Sequence, residues 1–125
     1  HVSDVMRSGD AVPRVDSDAT FNELMKQISA KSVGATAIVS PTNHVLGIFT
    51  DGDLRRLIEK GFDLRQVSAK EVMHTSPRTI RVNELAAMAA EMMETHSITS
   101  ILVLDADDKL CGIVHISDLM RAKVI

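Results

Sequence analysis

The chain has 125 residues, 14 Lys and Arg against 17 Asp and Glu, one Cys, and neither Trp nor Tyr. A chain with 45% hydrophobic and 25% charged residues is typical of a soluble globular protein of one ordinary domain or two very small ones. The net charge of −3 and the scarcity of aromatic residues disfavour a nucleic-acid partner, and the short apolar runs exclude a membrane-spanning segment. A single cysteine and the lack of a signal-peptide pattern lead us to expect a cytoplasmic protein. Because the chain begins at His1 and not at Met, we expect it to be part of something longer.

The first predicted elements are a short extended piece at 14–15 and an amphipathic helix. The helix is predicted from apolar residues at i, i+3, i+4 and i+7, and Thr20 and Glu23 supply the S/T-x-x-E signature of a capped N-terminus. The apolar positions are Phe21, Leu24, Met25 and Ile28.

Two β-rich runs follow, at 35–39 and 45–49, with the turn-forming sequence Ser-Pro-Thr-Asn between them. A second helix is predicted from about Asp53. The order of elements in this part of the chain is therefore β-α-β-β-α.

The same order recurs at an offset of 65 residues, which relates Gly47 to Gly112 and Asp53 to Asp118. Nearer the N-terminus, Val5-Met6 matches Val72-Met73 at an offset of 67, so the copies differ by two residues near 17–20. The second copy is predicted to contain an extended piece at 79–82, strands at 100–104 and 110–114, and a helix from about Asp118. Its first helix would present an apolar face of Leu85, Met88, Ala89 and Met92.

The sequence therefore predicts two repeats, 1–62 and 63–125, in a mixed α+β fold. A unit of about sixty residues is marginally stable alone, because it buries only roughly 60% of the surface of its unfolded chain. We therefore expect the two copies to pack against each other, related by a pseudo-two-fold axis.

The element order, together with Gly-Ile-x-Thr-x-x-Asp before the last helix, resembles the CBS domain, and two such units in tandem resemble a Bateman module. In that family, paired modules have two clefts between their copies that often bind adenine nucleotides or similar metabolites. The Thr and Asp of the motif commonly hold the ribose hydroxyls. The resemblance thus implies ribose contacts by Thr50 and Asp53. The second copy departs from the pattern, because His115 stands in the Thr position while Asp118 is kept.

Several stretches are also similar to the C-terminal half of bacterial D-arabinose-5-phosphate isomerases: 1–6, 47–56, 96–100 and 118–122. In that family, an N-terminal sugar-isomerase (SIS) domain interconverts ribulose 5-phosphate and arabinose 5-phosphate for Kdo and lipopolysaccharide synthesis. The resemblance implies that this chain is the CBS pair of such an enzyme and contains no catalytic residue. It also implies association with the SIS domain of the same chain and a homo-dimer or homo-tetramer.

The ligand implied by this resemblance is a nucleotide or nucleotide sugar. Pathway logic suggests CMP-Kdo as a feedback effector, with an adenine nucleotide as the alternative. No other cofactor is expected.

Each candidate ligand-binding residue also has a structural interpretation. Thr50 and Asp53 form a helix capping box, a role compatible with ligand contact. Asp51 and Gly52 would line the site or shape a tight turn, and Arg56, like its neighbour Arg55, would bind phosphate or lie on a solvated helix face. The segments that enter the middle strand of each copy would line the cleft or only connect helix to strand. They contain Gly34 and Ala35 in the first copy, and His96, Thr99 and Ser100 in the second.

No other pattern indicates chemistry. The five histidines lack metal-ligand spacing, the aspartates at 105–108 lack the later Gly and Glu of a calcium loop, and Cys111 is predicted to be a small core residue. We predict no metal site. The leading hypothesis is a regulatory ligand-sensing module, and the alternatives are a structural oligomerisation module without a ligand and an autonomous enzyme.

Overall fold

The computed structural model describes all residues from His1 to Ile125 and has a mixed α+β fold with two sheets. Its six α-helices are α1 (Val2–Val5), α2 (Phe21–Lys31), α3 (Asp51–Glu59), α4 (Ala69–Val72), α5 (Ala86–His96) and α6 (Ile116–Arg121). Its strands are β1 (Arg14–Asp16), β2 (Ala35–Val39), β3 (Val45–Thr50), β4 (His74–Thr75), β5 (Thr79–Arg81), β6 (Ser100–Leu104) and β7 (Leu110–His115). None of the helices is long and apolar enough to cross a membrane.

The chain forms two compact units that exchange their leading segments. The first-repeat unit is Pro13–Pro77, and the second-repeat unit combines His1–Val12 with Arg78–Ile125. Predicted repeats 1–62 and 63–125 describe similarity along the sequence. In space, the first twelve residues pack with the second repeat, and residues 63–77 pack with the first.

The two sheets have the same core topology. In the first-repeat unit, β1 is parallel to β2, β2 is antiparallel to β3, and β3 is antiparallel to β4. In the second-repeat unit, β5 is parallel to β6, and β6 is antiparallel to β7. Arg7 forms a single antiparallel bridge with Ile113, which is the counterpart of the pairing between His74 and Ile48.

A short segment crosses the last long strand of each unit, β3 or β7, and requires a glycine beneath it. A Cβ atom on Gly47 would lie 2.7 Å from the Met73 sulfur and 2.8 Å from the His74 carbonyl oxygen. At the equivalent Gly112, it would lie 2.5 Å from the Met6 sulfur and 2.9 Å from the Arg7 carbonyl oxygen. The short helices α1 and α4, which the sequence analysis missed, lead directly into these crossings.

The prediction for α2 is confirmed at its first residue and along its buried face. The Thr20 hydroxyl accepts a hydrogen bond from the Glu23 N–H at 3.1 Å, and the Glu23 carboxylate accepts from the Thr20 N–H at 3.2 Å. These bonds satisfy two of the donors that a helix N-terminus leaves unpaired. Leu24 is fully buried, and the Phe21 ring meets that of Phe49 edge to face at 6.1 Å between centroids.

The apolar face predicted for α5 is wrong in register by one residue. Leu85 precedes the helix and is 60% exposed, and Met88 is 44% exposed. The buried side chains of α5 are Ala86, Ala89 and Met93, which correspond to Phe21, Leu24 and Ile28 at the offset of 65. Ala89 is buried and Met92 packs against the core as predicted, but the position of the helix on its sheet buries Ala86 and Met93 in place of the predicted Leu85 and Met88.

Replacing either crossing glycine by alanine should destabilise the protein. Because backbone carbonyl atoms limit the space, Gly47→Ala and Gly112→Ala should each lower the free energy of unfolding by about 1–3 kcal/mol. Urea denaturation followed by circular dichroism measures this change. Gly52→Ala is the control, since its Cβ would have nothing closer than the flexible Arg56 side chain at 3.5 Å. Equal stability of all three variants would contradict the assigned crossings.

Candidate functional site

The predicted T-x-x-D motif lies where β3 passes into α3. Thr50 is the residue before the helix, and its hydroxyl accepts a hydrogen bond from the Asp53 N–H at 3.2 Å. The Asp53 Oδ2 accepts from the Thr50 N–H at 2.9 Å. Thr50 and Asp53 thus form the predicted capping box. Since Thr50 caps the helix, α3 starts at Asp51, two residues before the predicted start.

The connection from α2 to β2 lies next to this helix start. The Gly34 carbonyl oxygen accepts from the Asp51 N–H at 3.0 Å, and Ala35 pairs with Thr50 across the sheet. Gly34 has φ of +68°, and a Cβ there would lie 3.0 Å from the Asp51 carboxylate. Glycine adopts this backbone conformation without the penalty of other residues, so the loop approaches the helix closely.

The Asp53 carboxylate is oriented but not enclosed. Its Oδ1 accepts a hydrogen bond from the guanidinium of Arg56, whose side chain is 63% exposed, while Asp53 itself is 19% exposed. A carboxylate has about four lone-pair positions, so contacts with Thr50 and Arg56 leave acceptor capacity at this carboxylate. The Thr50 hydroxyl accepts one bond and keeps its own O–H available to donate.

The equivalent position of the second repeat has a different cap. The backbone N–H of Ser117 donates to the His115 Nδ1 at 3.1 Å, and the Ser117 hydroxyl lies 2.8 Å from the same nitrogen. The Asp118 Oδ2 accepts from the His115 N–H at 2.9 Å. Helix α6 starts at Ile116, whose N–H donates to the Thr99 carbonyl at 2.8 Å as Asp51 does to Gly34.

The Asp118 carboxylate, unlike that of Asp53, is enclosed by cations. It is only 5% exposed, and the Arg7 Nε lies 3.2 Å from its Oδ1 and 3.1 Å from its Oδ2. Arg121 donates to Oδ1 at 3.3 Å. Burial alone would raise the pKa of Asp118, but the hydrogen bonds from Arg7, the His115 N–H and Arg121 outweigh it and leave this pKa below its ordinary value.

The surroundings of the His115 imidazole favour its neutral form. Burial and the nearby positive charge of Arg7 lower the pKa of His115 below its ordinary value of 6.5, against the opposing effect of Asp118. Nδ1 accepts the Ser117 N–H bond, so this nitrogen carries no proton in the structure. Protonation of Nδ1 would remove the cap of α6.

The predicted site residues separate into two groups. The first-repeat unit brings together Gly34, Ala35, Thr50, Asp51, Gly52, Asp53 and Arg56, and the second-repeat unit brings together Thr99, Ser100, His115 and Asp118. His96 is the last residue of α5, is exposed, and forms no hydrogen bond with either group. The sequence analysis missed Arg7, Ser117 and Arg121. Arg121 could have been found from the sequence, because it is the counterpart of Arg56 in the repeat. Arg7 could not, because its counterpart is His74 and the repeat therefore does not indicate an arginine at this position.

The other residues weighed for chemistry form no further site. No three His, Cys, Asp or Glu side chains group together to hold a metal ion. Cys111 is half-buried in β7 and donates to the Val103 carbonyl at 3.5 Å. Asp105 accepts from the N–H groups of Asp107 and Lys109, a hairpin-turn arrangement.

The family model for the CBS domain matches residues 2–60 and 69–125. The chain is 42% identical over 124 residues to arabinose 5-phosphate isomerase KdsD of Salmonella typhi; this covers 99% of the chain and 38% of the relative. The chain thus spans about two fifths of the length of that curated relative.

Solved structures have the same fold. A CBS domain protein from Pyrobaculum aerophilum complexed with AMP has a TM-score of 0.84 at 21% identity, covering 94% of this chain and 88% of that protein. A CBS domain pair solved with 5′-methylthioadenosine and S-adenosyl-L-methionine has a TM-score of 0.85 at 20% identity, covering 98% of this chain and 94% of that one.

Removing the charge of Arg7 should cost more stability than removing that of Arg56. Arg7→Met leaves the buried Asp118 without its main partner and should lower the free energy of unfolding by about 2–3 kcal/mol. Arg56→Met removes an exposed ion pair and should cost less than about 1 kcal/mol. Urea denaturation at pH 7 measures both variants, which keep a similar aliphatic stem. Equal costs would mean that Asp118 does not depend on Arg7.

Acidification should destabilise the protein partly through His115. Its folded pKa lies below its ordinary value of 6.5, so unfolded chains bind the proton first. The stability that neutral His115 contributes is therefore complete above about pH 6.5. It is lost as the pH falls from about 6.5 to the lower pKa of His115 in the folded protein.

His115→Thr keeps a capping side chain that does not titrate, so its stability should fall less steeply between pH 7 and pH 5. Thermal melting at several pH values measures the slope. His96→Thr, which removes an exposed histidine without a hydrogen bond, is the control. A His115→Thr slope equal to that of the original protein would contradict the assigned role.

Proposed function

Because this chain belongs to the CBS domain family as a tandem pair, a Bateman module, we propose that it is the ligand-sensing regulatory part of an arabinose 5-phosphate isomerase. Identity of about 40% to KdsD proteins over 99% of this chain supports the relationship. In this proposal, catalysis belongs to an N-terminal sugar-isomerase domain of the same chain. Residues 1–125 provide no catalytic residue, and the enzyme works in the bacterial cytoplasm as a homo-dimer or homo-tetramer.

The ligand in this proposal is a nucleotide or nucleotide sugar held at the T-x-x-D corner of the first repeat. The observation that carries the proposal is the partly exposed Asp53 carboxylate, which keeps acceptor capacity while Thr50 and Arg56 orient it. The two hydroxyls of a ribose could donate to this carboxylate, and such charge-assisted hydrogen bonds are stronger than neutral ones.

A phosphate group of the ligand would be bound by Arg56. Its guanidinium has five N–H donors in a planar fork, which suits phosphate oxygens, and its side chain is mostly exposed. Gly34 and Ala35 would bring backbone groups close to the base, and Asp51 and Gly52 would line the same corner. AMP and S-adenosyl-L-methionine, with which similar structures have been solved, and CMP-Kdo are the ligands to test first.

Binding regulates the isomerase only if the ligand has different affinities for two arrangements of the enzyme. Feedback by CMP-Kdo would reduce the supply of arabinose 5-phosphate when the end product accumulates. The alternative is a structural oligomerisation module without a ligand. The exposed apolar side chains Leu85, Met88 and Met120 favour a surface that contacts another protein, and such a surface is compatible with either function.

Thr50→Ala should abolish or strongly weaken nucleotide binding, whereas Thr20→Ala should not. Both changes remove the Thr of a capping box, which costs typically about 1 kcal/mol of stability. Only Thr50 lies at the proposed ligand corner. Isothermal calorimetry and thermal melting with AMP, S-adenosyl-L-methionine, CMP and CMP-Kdo measure the difference, because a ligand at a hundred times its Kd stabilises by roughly 2.7 kcal/mol.

Asp53→Asn tests the charge at the same corner. The amide oxygen can still accept the Thr50 N–H bond, so the variant should fold while losing ligand affinity. If the original protein binds a ligand and both the Thr20 and Thr50 variants lose affinity equally, the loss comes from reduced protein stability and not from a missing ligand contact. No binding of any of the four compounds, combined with strong self-association, would favour the structural module.

A further inference from the structure

The two repeats place different residues at one equivalent position of the crossing segments. His74 pairs with Ile48 in the first-repeat unit, and Arg7 pairs with Ile113 in the second-repeat unit. His74 is exposed and forms no hydrogen bond or ion pair with Asp53. Arg7 extends from the corresponding point to the carboxylate of Asp118.

Arg7 contacts the carboxylate oxygens of Asp118. The corresponding oxygens of Asp53 are the ones proposed to bind ribose. Its Nε is within hydrogen-bond distance of both carboxylate oxygens, and one terminal nitrogen lies 3.5 Å from the Ser117 hydroxyl. The His115 N–H and Arg121 use further acceptor positions on the same oxygens. With about four lone-pair positions on a carboxylate, Asp118 has little acceptor capacity left.

A ligand would have to replace this ion pair to reach Asp118. The Asp118 side chain is 5% exposed and that of Arg7 is 26% exposed, against 19% for Asp53 and 63% for Arg56, so solvent screens the Arg7–Asp118 pair less than the Asp53–Arg56 pair. Ribose hydroxyls are neutral donors, so the exchange would give up the attraction between two opposite charges and leave the half-buried guanidinium of Arg7 without its counter-ion. The exchange is therefore unfavourable.

We infer that Arg7 is a built-in counter-ion that closes the second repeat to ligand, so that each chain binds one nucleotide, through its first repeat. This inference rests on the proposed function for the identity of the ligand, but the closure of Asp118 is a property of the protein alone. Arg7 is thus a specificity-determining residue that acts by occupying the carboxylate of Asp118.

The binding test compares the original protein with His115→Thr and with the double variant Arg7→His, His115→Thr, in which the second repeat carries both residues of the first. Isothermal calorimetry with AMP should give one site per chain for the original protein and for His115→Thr, and two sites for the double variant. A second site in the original protein or in His115→Thr would overturn the inference. So would one site in a folded double variant. Arg7→Met with His115→Thr repeats the test if the histidine variant does not fold.

A second measurement needs no nucleotide. A water-soluble carbodiimide with glycine methyl ester converts accessible carboxylates to amides, and peptide mass spectrometry locates them. Asp53 should react several-fold faster than Asp118 in the original protein and in His115→Thr, and the double variant should bring Asp118 close to the rate of Asp53. Equal modification rates at Asp53 and Asp118 in the original protein would overturn the inference that Arg7 closes Asp118.

The two measurements separate two kinds of failure. If AMP binds no variant, the proposed function fails for this ligand, and the labelling rates still decide whether Arg7 closes Asp118. If AMP binds and the rates at Asp118 do not respond to Arg7, the inference fails while the proposed function stands.

Discussion

The absence of a side chain at Gly47 and Gly112 is the constraint on which the rest of the structure depends. A Cβ at either position would come within 3 Å of the crossing segment, whose backbone carbonyl cannot move aside cheaply. The crossing in turn assigns residues 63–77 to the first-repeat unit and residues 1–12 to the second. Each compact unit is therefore built from both halves of the duplicated sequence. A repeat of about sixty residues has only marginal stability alone, and the exchange gives each sheet an additional packed segment.

The crossing segments also determine the electrostatics of the two corners. The two crossing segments carry different residues at one equivalent position, His74 or Arg7, and only Arg7 forms an ion pair with the aspartate of its corner. In the first repeat this residue is the exposed His74, and the carboxylate keeps acceptor capacity. In the second it is Arg7, whose half-buried guanidinium forms an ion pair with the buried Asp118. The two corners therefore differ at two side chains: Arg7 stands in place of His74, and His115 caps the helix in place of Thr50.

Helix capping and ligand contact are compatible at the first corner for a geometric reason. The capping bonds use one lone-pair region of the Asp53 carboxylate and of the Thr50 hydroxyl, and they fix both groups in place before any ligand arrives. Preorganised groups lose less conformational freedom on binding. The cap of α6 differs because an imidazole nitrogen serves as the acceptor, which makes its strength depend on pH in a range where a hydroxyl does not titrate.

Sequence patterns alone were enough to predict the duplication, the α+β class, the bounds of β2 and β6 and the capping boxes at Thr20 and Thr50. These features depend on residues close together in the chain and on a repeat that local patterns reveal. The sequence also predicted which residues gather around Asp53, because they follow one another along two adjacent segments. The tertiary structure decided the buried face of α5, the exchange of the leading segments and the pairing of Arg7 with Asp118. Arg7 and Asp118 are 111 residues apart in sequence, and the repeat places histidine at the matching position. Only the crossing of the chain over Gly112 brings the two charges together.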